Sequence, residues 1–152
     1  MKTAQQWFDE YAVSHQNETN KTIHYICVPA IFFSVIGLLF SIPATFLENT
    51  FGLYNPLLEN WAAIIAVLIL LFYLRLGFWH FINMLLLTTL CIIGNYWLSG
   101  FGNLAWISLA IFIIAWIGQF YGHKVEGKKP SFIKDLQFLL IGPLWVIKMI
   151  AS

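Results

Sequence analysis

The chain has 152 residues, of which 60% are hydrophobic and 10% are charged, and its formal net charge is +1. Soluble domains carry about 25% charged residues, so this composition excludes an ordinary water-soluble domain and indicates an integral membrane protein. A net charge this close to zero favours neither nucleic acid nor an acidic macromolecule as a partner. The length suits one domain, which we assign to residues 1–152.

The N-terminal part of the chain predicts two helices of different kinds. Residues 1–21 are polar and amphipathic, which is typical of a surface helix and not of a cleaved signal peptide. Residues 24–42 form the first predicted membrane span, because about 20 apolar residues cross the hydrocarbon core. A break is expected at residues 17–20, Asn-Glu-Thr-Asn, with Thr19 or Asn20 as the N-cap of the span. Residues 43–60 are expected to be a loop.

Three further spans follow, at residues 61–76, 77–98 and 104–121. The turn-forming sequence at 99–103, Ser-Gly-Phe-Gly-Asn, separates the last two. The apolar stretch at 136–150 is too short to cross easily and predicts an interfacial or re-entrant helix. The predicted fold is therefore all-α: a polytopic helical bundle with four transmembrane spans, an N-terminal amphipathic helix and a C-terminal interfacial or re-entrant helix.

Positive charge is concentrated on one side of this topology. With four spans, seven cations fall on the side of the N-terminus and the opposite loops hold none: Lys2, Lys21, Arg75, Lys124, Lys128, Lys129 and Lys134. The positive-inside rule makes that side cytoplasmic. We therefore expect the N-terminus in the cytoplasm, with the protein in the bacterial inner membrane, or in the endoplasmic reticulum if the source is eukaryotic.

The same topology brings all four histidines to the cytoplasmic face. His15 and His24 flank the start of the first span, His80 lies near the start of the third, and His123 ends the fourth. Neutral imidazole is a common ligand of iron, zinc and copper, so a metal site at the membrane surface is one interpretation. Packing or interfacial anchoring is the other, and His80, which lies in an aromatic run, fits the anchor best.

Polar residues accompany the last histidine. If the fourth helix continues past the membrane, Gln119, His123 and Glu126 line one of its faces, and Glu126 is an optional carboxylate ligand. Lys124 and Lys128 follow directly and would attract an anionic headgroup or a carboxylate substrate.

Two histidine-bearing motifs resemble those of one family of small membrane proteins, the family of the fungal 2-hydroxy fatty acid dioxygenase that makes odd-numbered fatty acids from phytosphingosine. The resemblance extends over essentially the whole chain. The motifs are His15-x4-Asn20-x3-His24-x4-Pro29 and Gln119-Phe120-Tyr121-Gly122-His123, the second followed by Glu126 and Pro130.

This resemblance implies an iron(II)-dependent α-oxidation, in which a 2-hydroxy fatty acid reacts with dioxygen, loses its carboxyl carbon as carbon dioxide and becomes one carbon shorter. It also implies that His15, His24 and His123 are the catalytic iron ligands, whereas His80 lies outside the motifs and is a weaker candidate. The acyl tail would lie among the spans in membrane lipid. We assign substrate contacts to four residues: Asn20, Gln119, Lys124 and Lys128.

Two functions from other classes remain open. In a non-catalytic membrane protein the histidines would serve packing or assembly, and in a lipid-binding module or small transporter the interfacial pocket would hold lipid. Transport is disfavoured because the predicted spans contain no acidic residue at mid-membrane and no internal repeat is visible. Bound iron would favour the enzyme, and tightly bound lipid without metal would favour the lipid-binding module.

Overall fold

A computed structural model describes residues 2–53, 55–127 and 138–151, and this part of the chain contains helices and no strands. The predicted all-α fold is confirmed. The helices are α1 (Ala4–Ala12), α2 (Glu18–Phe40), α3 (Thr45–Phe51), α4 (Trp61–Leu76), α5 (Phe78–Ser99), α6 (Leu104–Glu126) and α7 (Ile141–Ala151).

Three of these helices, α2, α5 and α6, are long and apolar enough to cross a membrane. They correspond to the first, third and fourth predicted spans. Helices α4 and α7 are also apolar but shorter. The predicted C-terminal segment begins at residue 136, and its start lies outside the described residues, which resume at 138. The architecture is that of an all-helical chain compatible with a membrane protein.

A break precedes α2, but it lies at residues 13–17 and not at the predicted 17–20, and the predicted cap is wrong. Residues 13–17 are not helical, and Asn17 is the capping residue because its Oδ1 accepts hydrogen bonds from the backbone N–H groups of Thr19 (2.9 Å) and Asn20 (3.3 Å). An Asn side chain that satisfies first-turn N–H groups stabilises a helix start. Thr19 and Asn20 therefore lie inside the helix.

The predicted loop at 43–60 contains a short helix, α3, so that prediction is wrong for its first half. Gly52 ends α3 with φ of 62°, a left-handed conformation in which glycine pays no steric cost. In the second half, Glu59 accepts a hydrogen bond from the backbone of Leu53 at 2.6 Å. Asn60 caps α4, because its Oδ1 accepts from the next turn of the helix.

Helices α4 and α5 form a tight hairpin. They pack against each other, and their junction is the single residue Gly77, with φ of 145°. Side chains with a Cβ rarely adopt this conformation, so the sharp reversal depends on glycine. The predicted turn between α5 and α6 is confirmed, since α5 ends at Ser99 and α6 begins at Leu104.

The chain divides into two compact units. The first unit comprises Met1–Phe32 and Ile111–Ser152, and the second comprises Phe33–Ala110. In the first unit α1 packs against α7, where the Lys148 ammonium lies 4.6 Å from the centre of the Phe8 ring. In the second unit α4 and α5 pack together, and Asn95 of α5 donates a hydrogen bond to the Phe33 carbonyl at 3.1 Å.

Candidate metal centre

Three histidines of the first unit converge on one point. His15 follows α1, His24 lies in the second turn of α2 and His123 lies near the end of α6. They are 3%, 0% and 3% exposed, and their ligand atoms all lie within 4.8 Å of one another. The ring centres are 4.2 Å apart for His15 and His24, 5.1 Å for His24 and His123, and 5.6 Å for His15 and His123.

Backbone carbonyls determine which nitrogen of two imidazoles carries the proton. The Nδ1 atom of His15 lies 2.6 Å from the Tyr11 carbonyl oxygen, and the Nδ1 atom of His24 lies 2.9 Å from the Asn20 carbonyl oxygen. A carbonyl oxygen only accepts hydrogen bonds, so each Nδ1 donates, and in the neutral imidazole Nε2 then carries the lone pair. Histidines that bind metals are oriented in this way. Together with His123, whose ligand atom lies within 4.8 Å of theirs, these imidazoles fit a metal ion.

Tyr11 supports His15 in two ways and was missed by the sequence analysis. Its carbonyl accepts the Nδ1 proton, and its ring stacks on the imidazole with centres 4.0 Å apart and planes 6° from parallel. Trp145 of α7 lies on the same aromatic cluster, with its ring centre 5.0 Å from that of Tyr11. The signal for Tyr11 was its position four residues before His15, which favours contact if the helical path continues.

Two glycines let α6 approach α2 closely beside the histidines. A Cβ at Gly122 would overlap Asn20 Oδ1 and lie 3.3 Å from His24 Cε1. One turn earlier, a Cβ at Gly118 would lie 2.6 Å from Cys27 Sγ. Glycines spaced by four residues are a common means of close helix packing in membranes. Gly122 belongs to the second histidine motif, and its role is to let α6 lie close to α2.

A cavity adjoins the imidazoles and extends along α2. It is lined by His15 and His24 and also by Val28, Ile31, Trp116 and Gln119. On the α2 side, Val28 and Ile31 share a face with His24 and lie about 6 and 10 Å further along the helix axis. The cavity is therefore lined by both histidine and apolar side chains.

A family model described as 2-hydroxy-palmitic acid dioxygenase Mpo1-like matches residues 1–152. The chain belongs to the Mpo1-like family. The resemblance inferred from the two histidine motifs is thereby confirmed, and the family's name associates the chain with dioxygenase chemistry on 2-hydroxy fatty acids. No curated protein and no solved structure matched the chain.

The remaining predicted residues of this Mpo1-like chain lie in different surroundings. Helix α6 continues past the predicted end of the span at residue 121 as far as Glu126, and the Gln119 side chain is buried beside the cavity. The Glu126 carboxylate is not part of the histidine group, and it accepts hydrogen bonds from the backbone N–H groups of Gln16 and Asn17, each at 2.9 Å. Asn20 is fully buried, and its side-chain amide also donates to Glu126.

Two other predicted residues, His80 and Lys124, do not belong to the group in the described part of the chain. His80 lies at the start of α5 in the second unit, and the three-histidine group does not include it. Lys124 is exposed at the end of α6. Lys128 lies outside the described residues.

Proposed function

We propose that this protein is an iron(II)-dependent dioxygenase that performs the α-oxidation of 2-hydroxy fatty acids. The substrate and one dioxygen would give a fatty acid one carbon shorter, carbon dioxide and water. The observation that carries the proposal is the group of three buried histidines with ligand atoms within 4.8 Å. The family described as 2-hydroxy-palmitic acid dioxygenase supports the reaction and the substrate class.

The proposed iron ligands are His15, His24 and His123. An iron site built from neutral imidazoles is chemically reasonable, and the carbonyls of Tyr11 and Asn20 hold two of the rings in the tautomer that a ligand needs. When bound, ferrous iron would supply the redox chemistry that lets dioxygen react with the substrate. The protein residues hold the imidazoles in place and keep bulk water away from them.

The cavity beside the histidines has both polar and apolar lining, as an amphiphilic substrate would require. His15 and His24 would face the hydroxyl and carboxylate groups, and the apolar surface of Val28 and Ile31 would meet the first carbons of the acyl chain. Gln119 is buried at the same cavity and is the best-placed neutral side chain to hydrogen-bond the substrate's polar end. Lys124 and Lys128 would attract the carboxylate from solution, in which case their role is in association and not in chemistry.

We further propose that α4 crosses the membrane together with α2, α5 and α6. Arg75 lies in the last turn of α4 and would extend the helix by placing its guanidinium among the headgroups. The four-span topology puts the N-terminus and the histidine group on the cytoplasmic side by the positive-inside rule. Helices α1 and α7 would then lie at that interface.

A non-catalytic lipid-binding protein is the second candidate, favoured by the apolar lining of the cavity. The two functions make different predictions. A dioxygenase would bind metal and consume oxygen when an acyl chain is bound, and a lipid-binding protein would bind the acyl chain without either. In the lipid-binding case, a 2-hydroxy fatty acid would be recovered unchanged.

The test is a turnover assay with iron-loaded protein in detergent under ¹⁸O₂, using 2-hydroxy fatty acids of several chain lengths. We expect carbon dioxide and a fatty acid one carbon shorter that contains ¹⁸O, and neither product from His123→Ala. Unchanged substrate at every chain length, from wild-type protein with bound iron, would contradict the proposal and favour the lipid-binding function.

A further inference from the structure

Glu126 joins segments from opposite ends of the sequence. Its Oε1 accepts a hydrogen bond from the Gln16 backbone N–H at 2.9 Å, and its Oε2 accepts from the Asn17 backbone N–H and the Asn20 side-chain amide, each at 2.9 Å. These partners precede it by 106 to 110 residues. One carboxylate thus fastens the end of α6 to the segment between α1 and α2.

The fastened segment carries a histidine of the metal centre. Residues 13–17 have no regular helical structure, and His15 lies among them. Asn20 reinforces the connection, because its side-chain amide donates to both Glu126 and the Ser14 carbonyl, the latter at 3.0 Å. The hydrogen bonds therefore hold the backbone on both sides of His15.

We propose that Glu126 is a positioning residue that holds the His15 segment against α6 and thereby sets the affinity for the metal, without binding the metal itself. This inference rests on the proposed metal site. Both carboxylate oxygens already accept hydrogen bonds, and no Glu126 oxygen is part of the group of ligand atoms. A carboxylate in this state is a poor additional ligand, because it would have to break these bonds.

The physical reason is conformational entropy. Without Glu126, residues 13–17 would sample more backbone conformations in the metal-free protein, and metal binding would have to order them. Such supporting residues change metal affinity by about 10- to 100-fold. We therefore expect Glu126→Ala to weaken metal binding by about this factor and to leave the coordination unchanged once the site is saturated.

The experiment is an anaerobic Co²⁺ titration of the full-length protein in detergent, followed by visible absorption. Glu126→Ala is compared with Glu18→Ala, which removes an exposed carboxylate of the neighbouring turn that pairs with Lys21. Glu126→Ala should bind Co²⁺ about 10- to 100-fold more weakly with an unchanged spectrum, and Glu18→Ala should bind it like wild type. Glu126→Gln keeps one acceptor oxygen and should lie between wild type and Glu126→Ala, which also covers the case that Glu126→Ala folds poorly.

A double-mutant cycle with Asn20→Ala tests whether the hydrogen-bonded pair acts as a unit. Because the Asn20 amide donates to Glu126, the losses of the two single variants should not add in the double variant. Additive losses, unchanged affinity in a folded Glu126→Ala, or a changed Co²⁺ spectrum would each overturn the positioning role. A changed spectrum would instead make Glu126 a ligand.

Amide hydrogen exchange of the metal-free protein separates this inference from the proposed function. Exchange over residues 13–17 should be faster in Glu126→Ala than in Glu18→Ala or wild type. If wild-type protein binds no metal, the proposed function and the affinity role both fail, but faster exchange would still identify Glu126 as a structural fastening. Unchanged exchange would show that the fastening itself is wrong.

Discussion

Buried polar side chains serve different purposes in the two units. In the second unit, Asn60 and Asn95 make hydrogen bonds to backbone groups that lie in or next to helices, at the start of α4 and at the Phe33 carbonyl. In the first unit, the Nδ1 atoms of His15 and His24 also lie within hydrogen-bond distance of backbone carbonyls. The ligand atoms of His15, His24 and His123 all lie within 4.8 Å of one another.

Burying a polar group costs free energy that hydrogen bonds offset, so the second-unit residues are explained by stability alone. Three imidazoles whose ligand atoms lie within 4.8 Å of one another also offer a place for a cation. Imidazoles that turn their lone-pair nitrogens toward a common point gain most from a cation at that point. Substitutions in the first unit should therefore change metal binding, and comparable substitutions in the second unit should change stability.

The largest effect in this comparison is expected for Gly122→Ala. The added Cβ would overlap Asn20 Oδ1 and press on His24, and Asn20 cannot move away without breaking its bonds to Ser14 and Glu126. We expect Co²⁺ affinity to fall about 10- to 100-fold, as for other changes around metal ligands. The measurement is the same anaerobic titration.

Gly102→Ala in the second unit is the matched control for this substitution. A Cβ there would make only an ordinary contact, 3.6 Å from Ile107 Cδ1, so affinity should match wild type. Equal affinities for Gly122→Ala and wild type would mean that the close approach of α6 to α2 does not shape the site.

A smaller effect is expected for Asn95→Ala, and it should concern stability and not metal affinity. The variant loses hydrogen bonds from the Asn95 amide to the Phe33 and Cys91 carbonyls, so the free energy of unfolding should fall by about 1 kcal/mol. Metal affinity should not change. Reversible unfolding in mixed detergent micelles measures the first quantity and Co²⁺ titration the second.

Ser99→Ala serves as the control, because Ser99 is exposed and its hydroxyl donates to the Tyr96 carbonyl within its own helix turn. It should change neither quantity appreciably. A loss of metal affinity in Asn95→Ala without a loss of stability would contradict the assignment of metal binding to the first unit and stability to the second.

The sequence predicted the helices whose signals are local and continuous. The long apolar runs gave α2, α5 and α6, and the turn residues at 99–103 separated the last two. The short helix α3 was missed because its only clear signal is the terminal Gly52, and the cap of α2 was placed too late because Asn17, Thr19 and Asn20 are all acceptable N-caps in sequence. Which of the three residues caps α2 depends on where the preceding helix ends.

Topology pointed to all four histidines and the motif resemblance selected His15, His24 and His123, which the structure brings together, while their role as metal ligands stays a prediction. Their neighbours could not be assigned in the same way. The stacking of Tyr11 on His15 depends on how the chain leaves α1, and the sequence cannot distinguish a carboxylate ligand from a carboxylate that accepts backbone hydrogen bonds, as Glu126 does. In the sequence, each of these two roles for a carboxylate looks the same: an acidic residue near the histidines.

The most direct test of the three-histidine centre is the iron content of protein purified anaerobically in detergent and measured by elemental analysis. Wild type and His80→Ala are expected to hold about one iron per chain, and His15→Ala, His24→Ala and His123→Ala almost none. Iron that persists in all three of these variants, or that is lost only in His80→Ala, would contradict the account.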